Sequence, residues 1–171
     1  MITTLIEADG DPAGLSRTLA SLVPGAVEGL IREVVVLSAE STSVAKVADH
    51  AGCRLAAPGD VDQIVSAAKG DWLLILPSGV VLSPGWVEPV SDFLADAENR
   101  SGGGRFRPAR PDRLSLMRWF RLRQDLLARG ALVRRRDAAR VGSKGLGSLA
   151  GGVRLREIAV DIRMPKRADR A

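Results

Sequence analysis

Two short runs, Val34–Leu37 and Trp72–Leu76, are apolar at every position. A strand with no polar alternation must be covered on both faces, so this chain needs a sheet with helices on either side. The intervening sequence supplies them. Ile2 to Ile6 is β-branched or apolar and reads as the first strand, and Asp11-Pro12 then provides a helix cap and a proline suited to the first helical position. Leu15, Leu19 and Leu22 share one face of that helix, which Pro24-Gly25 is expected to end. Ser41, Thr42 or Ser43 caps a second helix, with Val44, Val47, Ala48 and Ala51 on one face before Gly52. Asp60 opens a third, carrying Val61, Ile64, Val65 and Ala68 and stopping at Gly70. Ser83-Pro84 is expected to start a fourth, with Val87, Val90 and Leu94.

This order of elements predicts an α/β fold, Rossmann-like, with a mostly parallel sheet and right-handed crossovers. Ligands in such sheets sit beyond the carboxyl ends of the strands, which singles out the loops Glu7–Asp11, Ser38–Ser43 and Pro77–Ser83.

The pattern changes in the second half. Asn99–Pro111 is rich in Gly, Arg and Pro and reads as an exposed loop. Arg113–Arg129 reads as a helix with Leu116, Phe120 and Leu127 near one face and arginines, Arg129 among them, beside it. Ala131–Val133 follows as a short strand, Arg136–Arg140 as a helical turn, and Gly142–Gly152 as a loop with five glycines. Val153–Ile162 alternates apolar and polar, as a half-buried strand does. With 171 residues and no internal repeat, the expectation is one domain over 1–171, divided into an N-terminal half, 1–98, and a basic half, 99–171.

Charge follows the same division. Residues 1–99 hold five Lys/Arg and fourteen Asp/Glu, a net of −9; residues 100–171 hold twenty and six, a net of +14. Such a split points either to an anionic partner for the basic part, to attraction between the halves, or simply to solvated arginines.

One cysteine, Cys53, and one histidine, His50, cannot build an internal disulfide or a zinc site of the usual type. No basic stretch followed by an apolar run opens the chain, and Pro77 cuts the Trp72–Leu76 run far short of membrane-spanning length. These features predict a soluble protein in a reducing compartment, the cytoplasm.

Glycine-rich phosphate loops are missing. The turn after the first strand, Glu7-Ala8-Asp9-Gly10-Asp11, has one glycine and three carboxylates, which would repel a pyrophosphate. Gly142-Ser143-Lys144-Gly145 lacks both the spacing and the strand-to-helix context of an ATPase lysine loop. Asp11 reads as the helix cap, while Glu7 and Asp9 remain open between ligand binding and favouring the helix N-terminus. His50 reads as a surface residue at a helix C-terminus, Cys53 as a small buried hydrophobe, and Asp71 as a turn or packing residue at the wrong end of its strand for a ligand.

The spacing of several stretches resembles the family 2 glycosyltransferases of the GT-A fold, especially small bacterial sugar transferases. They are Gly14–Leu22 in the first helix, Glu33–Leu37 followed by Ser41-Thr42, Ala67–Leu76, Ser83–Trp86 and, more weakly, Gly130–Asp137. The resemblance implies a nucleotide-diphospho-sugar lying across the strand ends. It also implies a divalent cation, Mn or Mg, on the diphosphate, and transfer of the sugar to an acceptor hydroxyl. By position it assigns Glu7, Asp9, Asp11, Ser38, Ser78 and Gly79 to the nucleotide-sugar.

Against that pattern the chain lacks parts. The family's Asp after strand two is Ser38, and the later Asp of that loop is Ser43. The loop after strand four, which should end in a metal-binding Asp, reads Pro77-Ser78-Gly79-Val80 and offers no carboxylate to a hard cation. No metal ligand is therefore assigned. Between Arg140 and Arg156 there is no Asp or Glu to act as catalytic base, so no catalytic residue is assigned either. The expectation is a pseudoenzyme or weak transferase, or else a binding or regulatory module on the same scaffold. Arg113, Arg118, Arg121 and Arg123, with Trp119 and Phe120, are expected either to meet an anionic membrane surface or to stand in water on a packed helix. Nucleic acid is not expected as a partner, because aromatic residues are scarce and no reader module is visible.

Overall fold

The computed structural model describes residues 1–39, 41–98, 102–109, 129–141, 145–150 and 153–163. In chain order the elements are β1 (Ile2–Glu7), α1 (Pro12–Val27), β2 (Ile31–Leu37), α2 (Thr42–His50), β3 (Arg54–Ala56), a 3-10 turn at Pro58–Asp60, α3 (Val61–Ala67), β4 (Trp72–Pro77) and β5 (Val81–Leu82). Then come α4 (Val87–Glu98), β6 (Gly103–Pro108), β7 (Ala131–Arg134), α5 (Arg135–Val141), a second 3-10 turn at Leu146–Ala150, and β8 (Leu155–Arg163).

One sheet runs in the order β3-β2-β1-β4-β7-β6-β8-β5. Strands β3, β2, β1 and β4 pair in parallel, β7 is antiparallel to β4 and β6, β8 is parallel to β6, and β5 is antiparallel to β8. The doubly apolar runs are explained by the two layers they separate. On one face Ile2, Ile6, Val36, Leu74 and Leu76 pack with Leu15 and Leu22 of α1, Val44 and Ala48 of α2 and Val90 of α4. On the other, Leu5, Val35, Leu37, Leu73 and Ile75 pack with Val61, Ile64 and Val65 of α3, Ala138 of α5 and the turn at Leu146–Ala150. Successive strand residues thus feed opposite cores. In β8 the even positions Ile158, Val160 and Ile162 are buried and their odd neighbours exposed, as the alternation predicts.

Several boundaries differ from expectation, and glycine is the common reason. Pro24-Gly25 does not end α1: the helix runs to Val27 and closes where Gly29 takes φ +73°. Gly25 instead lies against the Trp86 ring, which a Cβ at that position would overlap. Gly70 is no helix stop with a left-handed turn; a Cβ there would come 2.5 Å from the Thr3 nitrogen, so it permits backbone contact with β1. Ser83-Pro84 precedes a turn in which Gly85 takes φ +75°, and α4 starts only at Val87.

The expected exposed loop at 99–111 is overturned over 103–108, while 99–101 and 110–111 lie outside the described residues. Gly103–Pro108 is strand β6 in the sheet interior, between β7 and β8, with Phe106 fully buried. A Cβ on Gly103 would meet the Leu132 carbonyl oxygen at 2.7 Å, and one on Gly104 would overlap Ile158, so these glycines are close-packing positions. Gly142–Gly152 also differs: Leu146, Leu149 and Ala150 form a buried turn against α5. Arg129, expected among solvated basic residues, is only 3% exposed; it donates to the Phe106 carbonyl at 3.0 Å and faces Glu157 at 3.5 Å. The remainder of the expected basic helix, 113–128, lies outside the described residues.

Candidate functional site at the carboxyl strand ends

Parallel register puts Glu7 of β1 beside Leu37 of β2 and Pro77 of β4. The three loops that follow therefore start side by side. Their first residues continue the ladder: the Ala8 amide donates to the Leu37 carbonyl, and the Ser78 amide to the Glu7 carbonyl, both at 2.8 Å. All six residues assigned to the nucleotide-sugar, Glu7, Asp9, Asp11, Ser38, Ser78 and Gly79, lie at or just beyond the carboxyl ends of these three neighbouring strands.

Their environments differ. Glu7, Asp9 and Asp11 are exposed. Asp11 caps α1, its Oδ1 accepting from the Ala13 amide at 3.0 Å, while its Oδ2 lies 3.5 Å from Nη2 of Arg17. Ser38 is half-buried and donates to the Ala39 carbonyl. Ser78, Gly79 and Val80 are buried.

The buried turn is held by α1. The Gly79 amide donates to Thr18 Oγ1 at 2.8 Å and to the Gly14 carbonyl at 3.2 Å, and the Thr18 hydroxyl donates to the same Gly14 carbonyl at 3.3 Å. Gly79 takes φ +87°, which glycine adopts without strain. Gly14 leaves the space this contact needs: a Cβ there would stand 2.6 Å from Asp11 Oδ2 and 3.2 Å from Ser78 Oγ. The Ser78 hydroxyl is buried without a hydrogen-bond partner among the described residues. Gly14 and Thr18 carry no signal of this role in the sequence except their one-turn spacing on α1, which is common to many helices.

The divalent cation implied by resemblance finds no fit here. The β4–β5 turn has no carboxylate, its residues Ser78, Gly79 and Val80 are buried, and its Gly79 amide is engaged by α1. Among the described residues no three of His, Cys, Asp and Glu come together as metal ligands do.

Elsewhere, His50 holds the Lys46 carbonyl through Nδ1 at 2.7 Å and lines an open groove between α1 and α2 with Leu19 and Val47. Cys53 is half-buried, and burial pushes its thiol pKa up, away from nucleophilic reactivity. Asp71 is exposed, and its carbonyl accepts from the Arg135 amide. Arg113, Arg118, Arg121 and Arg123 lie outside the described residues. The chain leaves β6 at this same end of the sheet and returns to it at Arg129, just before β7. No helix among the described residues is long and apolar enough to cross a membrane.

No protein-family model matches the chain, and no curated protein does. Solved structures do. Glucosyl-3-phosphoglycerate synthase from Mycobacterium tuberculosis in complex with phosphoglyceric acid superposes with a TM-score of 0.68 at 16% identity, over 98% of this chain and 73% of the synthase. The same synthase with Mn2+ and UDP-glucose gives a TM-score of 0.65 at 16% identity, over 100% and 72% of the two chains. A structure described as a mycobacterial protein gives 0.63 at 17%, over 98% and 68%. The fold is that of the GT-A glycosyltransferases, as the sequence resemblance implied.

Proposed function

We propose that this GT-A-fold protein receives a nucleotide-diphospho-sugar across the carboxyl ends of β1, β2 and β4, and that sugar transfer from it is weak or lost. The observation that carries the reading is the β4–β5 turn: it stands beside the ends of β1 and β2, yet it is buried and tied to α1 through Thr18 and Gly79. Support for the ligand class comes from solved neighbours of the same fold described with UDP, with UDP-glucose and with Mn2+.

Inverting transfer would require the acceptor oxygen to attack the anomeric carbon as the bond to the diphosphate breaks. The acceptor proton would pass to a base and the departing charge would need a cation. A carboxylate-free turn supplies no such cation site, and residues 141–155 contain no Asp or Glu for the base. A chain with these features binds better than it turns over.

Titration of UDP-, GDP- and TDP-sugars by calorimetry, with and without Mn2+, tests the reading alongside a product assay. Binding of at least one sugar nucleotide with turnover absent or very slow is expected; no binding to any of them overturns it. The second reading, a non-catalytic binding or regulatory module, is favoured by the same buried turn and predicts no turnover with any acceptor. On charge alone, Arg113, Arg118, Arg121 and Arg123 are proposed to meet an anionic membrane surface from the cytoplasmic side. Liposome flotation with anionic against neutral lipid tests that contact.

A further inference from the structure

We infer that the site takes a nucleoside diphosphate without a divalent cation, and that Arg17 supplies the counter-charge; this rests on the sugar-nucleotide reading above. The demand for positive charge is clear. A diphosphate brings at least two negative charges to an edge that already exposes Glu7, Asp9 and Asp11. The β4–β5 turn cannot recruit a cation to balance them, since Ser78, Gly79 and Val80 are buried and carboxylate-free and the Gly79 amide is bonded to Thr18.

Arg17 is placed to do so. It projects from the second turn of α1 back toward the helix N-terminus, where Nη2 lies 3.5 Å from Asp11 Oδ2. The same carboxylate oxygen and the buried Ser78 hydroxyl both flank the empty Cβ position of Gly14, at 2.6 and 3.2 Å. Guanidinium, carboxylate and hydroxyl thus gather where α1 meets the β4–β5 turn. The Arg17 and Asp11 side chains are 54% and 51% exposed, so their ion pair is solvated and weakly held. Asp11 keeps its capping bond to Ala13 through the other oxygen if Arg17 turns away. A guanidinium freed in this way presents paired N–H donors that match phosphate oxygens in geometry as well as charge. Among the described residues, Arg107 at this end of the sheet is ion-paired to Asp161 and belongs to β6, which β7 separates from β4.

Calorimetric or NMR titration of UDP and of uridine, in EDTA and in Mn2+, tests the inference on the wild-type chain, Arg17→Ala and Arg17→Lys. The expected result is UDP affinity that EDTA leaves unchanged, about tenfold or more weaker in Arg17→Ala and partly recovered in Arg17→Lys. Uridine, lacking phosphate, should bind all three alike. UDP binding that needs Mn2+, or that Arg17→Ala leaves intact, overturns the inference while the sugar-nucleotide reading stands. Failure of the wild-type chain to bind UDP, uridine or any sugar nucleotide removes both. Circular dichroism melts of the variants, expected to match wild type at this exposed position, separate lost binding from lost folding.

Discussion

The Gly79 amide and the Thr18 hydroxyl oxygen, 61 residues apart in sequence, meet in a buried hydrogen bond of 2.8 Å that ties the β4–β5 turn to α1. The Thr18 hydroxyl in turn donates a hydrogen bond to the Gly14 carbonyl, so turn and helix share one closed set of partners. Val80 of the same loop is buried in the core below it.

Thr18→Val keeps the shape of the side chain and removes the acceptor. The Gly79 amide would retain only its longer bond to the Gly14 carbonyl. A loss of about 1–3 kcal/mol is expected, read as a lower urea midpoint with unchanged slope.

Gly79→Asp would restore a carboxylate to the turn without restoring a metal site. The position takes φ +87° and is buried, so an Asp there meets both backbone strain and desolvation. The expected outcome is a destabilised chain whose Mn2+ signal in electron paramagnetic resonance stays that of the free ion. Tight Mn2+ binding by this variant would show that the turn can open.

Gly70→Ala and Gly59→Ala should part widely in a thermal melt. A methyl group at Gly70 would press on the Thr3 nitrogen, the Ile2 carbonyl carbon and the Met1 oxygen, all backbone atoms at the start of the chain and of the first strand. About 1–3 kcal/mol should be lost there. Gly59 has open space around it and no left-handed φ, so Ala is expected to be neutral or stabilising by a few tenths of a kcal/mol.

Burial raises the Cys53 pKa in the folded chain, which makes the thiolate more favourable in the unfolded one. Its contribution to stability is therefore whole below the ordinary thiol pKa and is lost as pH rises through the folded value. Wild-type and Cys53→Ala unfolding curves collected from neutral to alkaline pH should show the wild type losing ground at the alkaline end. A constant difference would contradict this. Alkylation of Cys53 at neutral pH should likewise run slower than that of a free thiol.

Arg129→Ala should be far more damaging than Glu157→Ala. The arginine is buried and supplies the Phe106 carbonyl, whereas the glutamate side chain is 47% exposed and 3.5 Å away. About 3 kcal/mol is expected for the first and under 1 kcal/mol for the second, by chemical denaturation.

Much of the N-terminal architecture was legible in the residues themselves. Val34–Leu37 and Trp72–Leu76 demanded cover on both faces, Asp11 read as the cap of α1, and the even positions of β8 marked its buried side. Local chemistry sufficed because burial on two faces, capping and alternation each leave a pattern within a few residues. The loops flanking a ligand groove were also legible, since their place follows from the order of strands and helices.

Glycine resisted such reading, because the same residue serves a turn and a close contact. Gly29 and Gly85 reverse the chain at positive φ, whereas Gly25, Gly70, Gly103 and Gly104 make room for Trp86, β1, β7 and Ile158. Nothing adjacent in sequence distinguishes the two uses, so β6 looked like a loop although it lies inside the sheet. The amino-acid sequence by itself determined the helix-covered, parallel part of the sheet, β3-β2-β1-β4, and the absence of acids in the loop after β4. That the turn there faces inward, held by Thr18, and that Arg17 stands beside Asp11 at the rim, were decided only in three dimensions, because each depends on a partner brought near by the packing of α1 on the sheet.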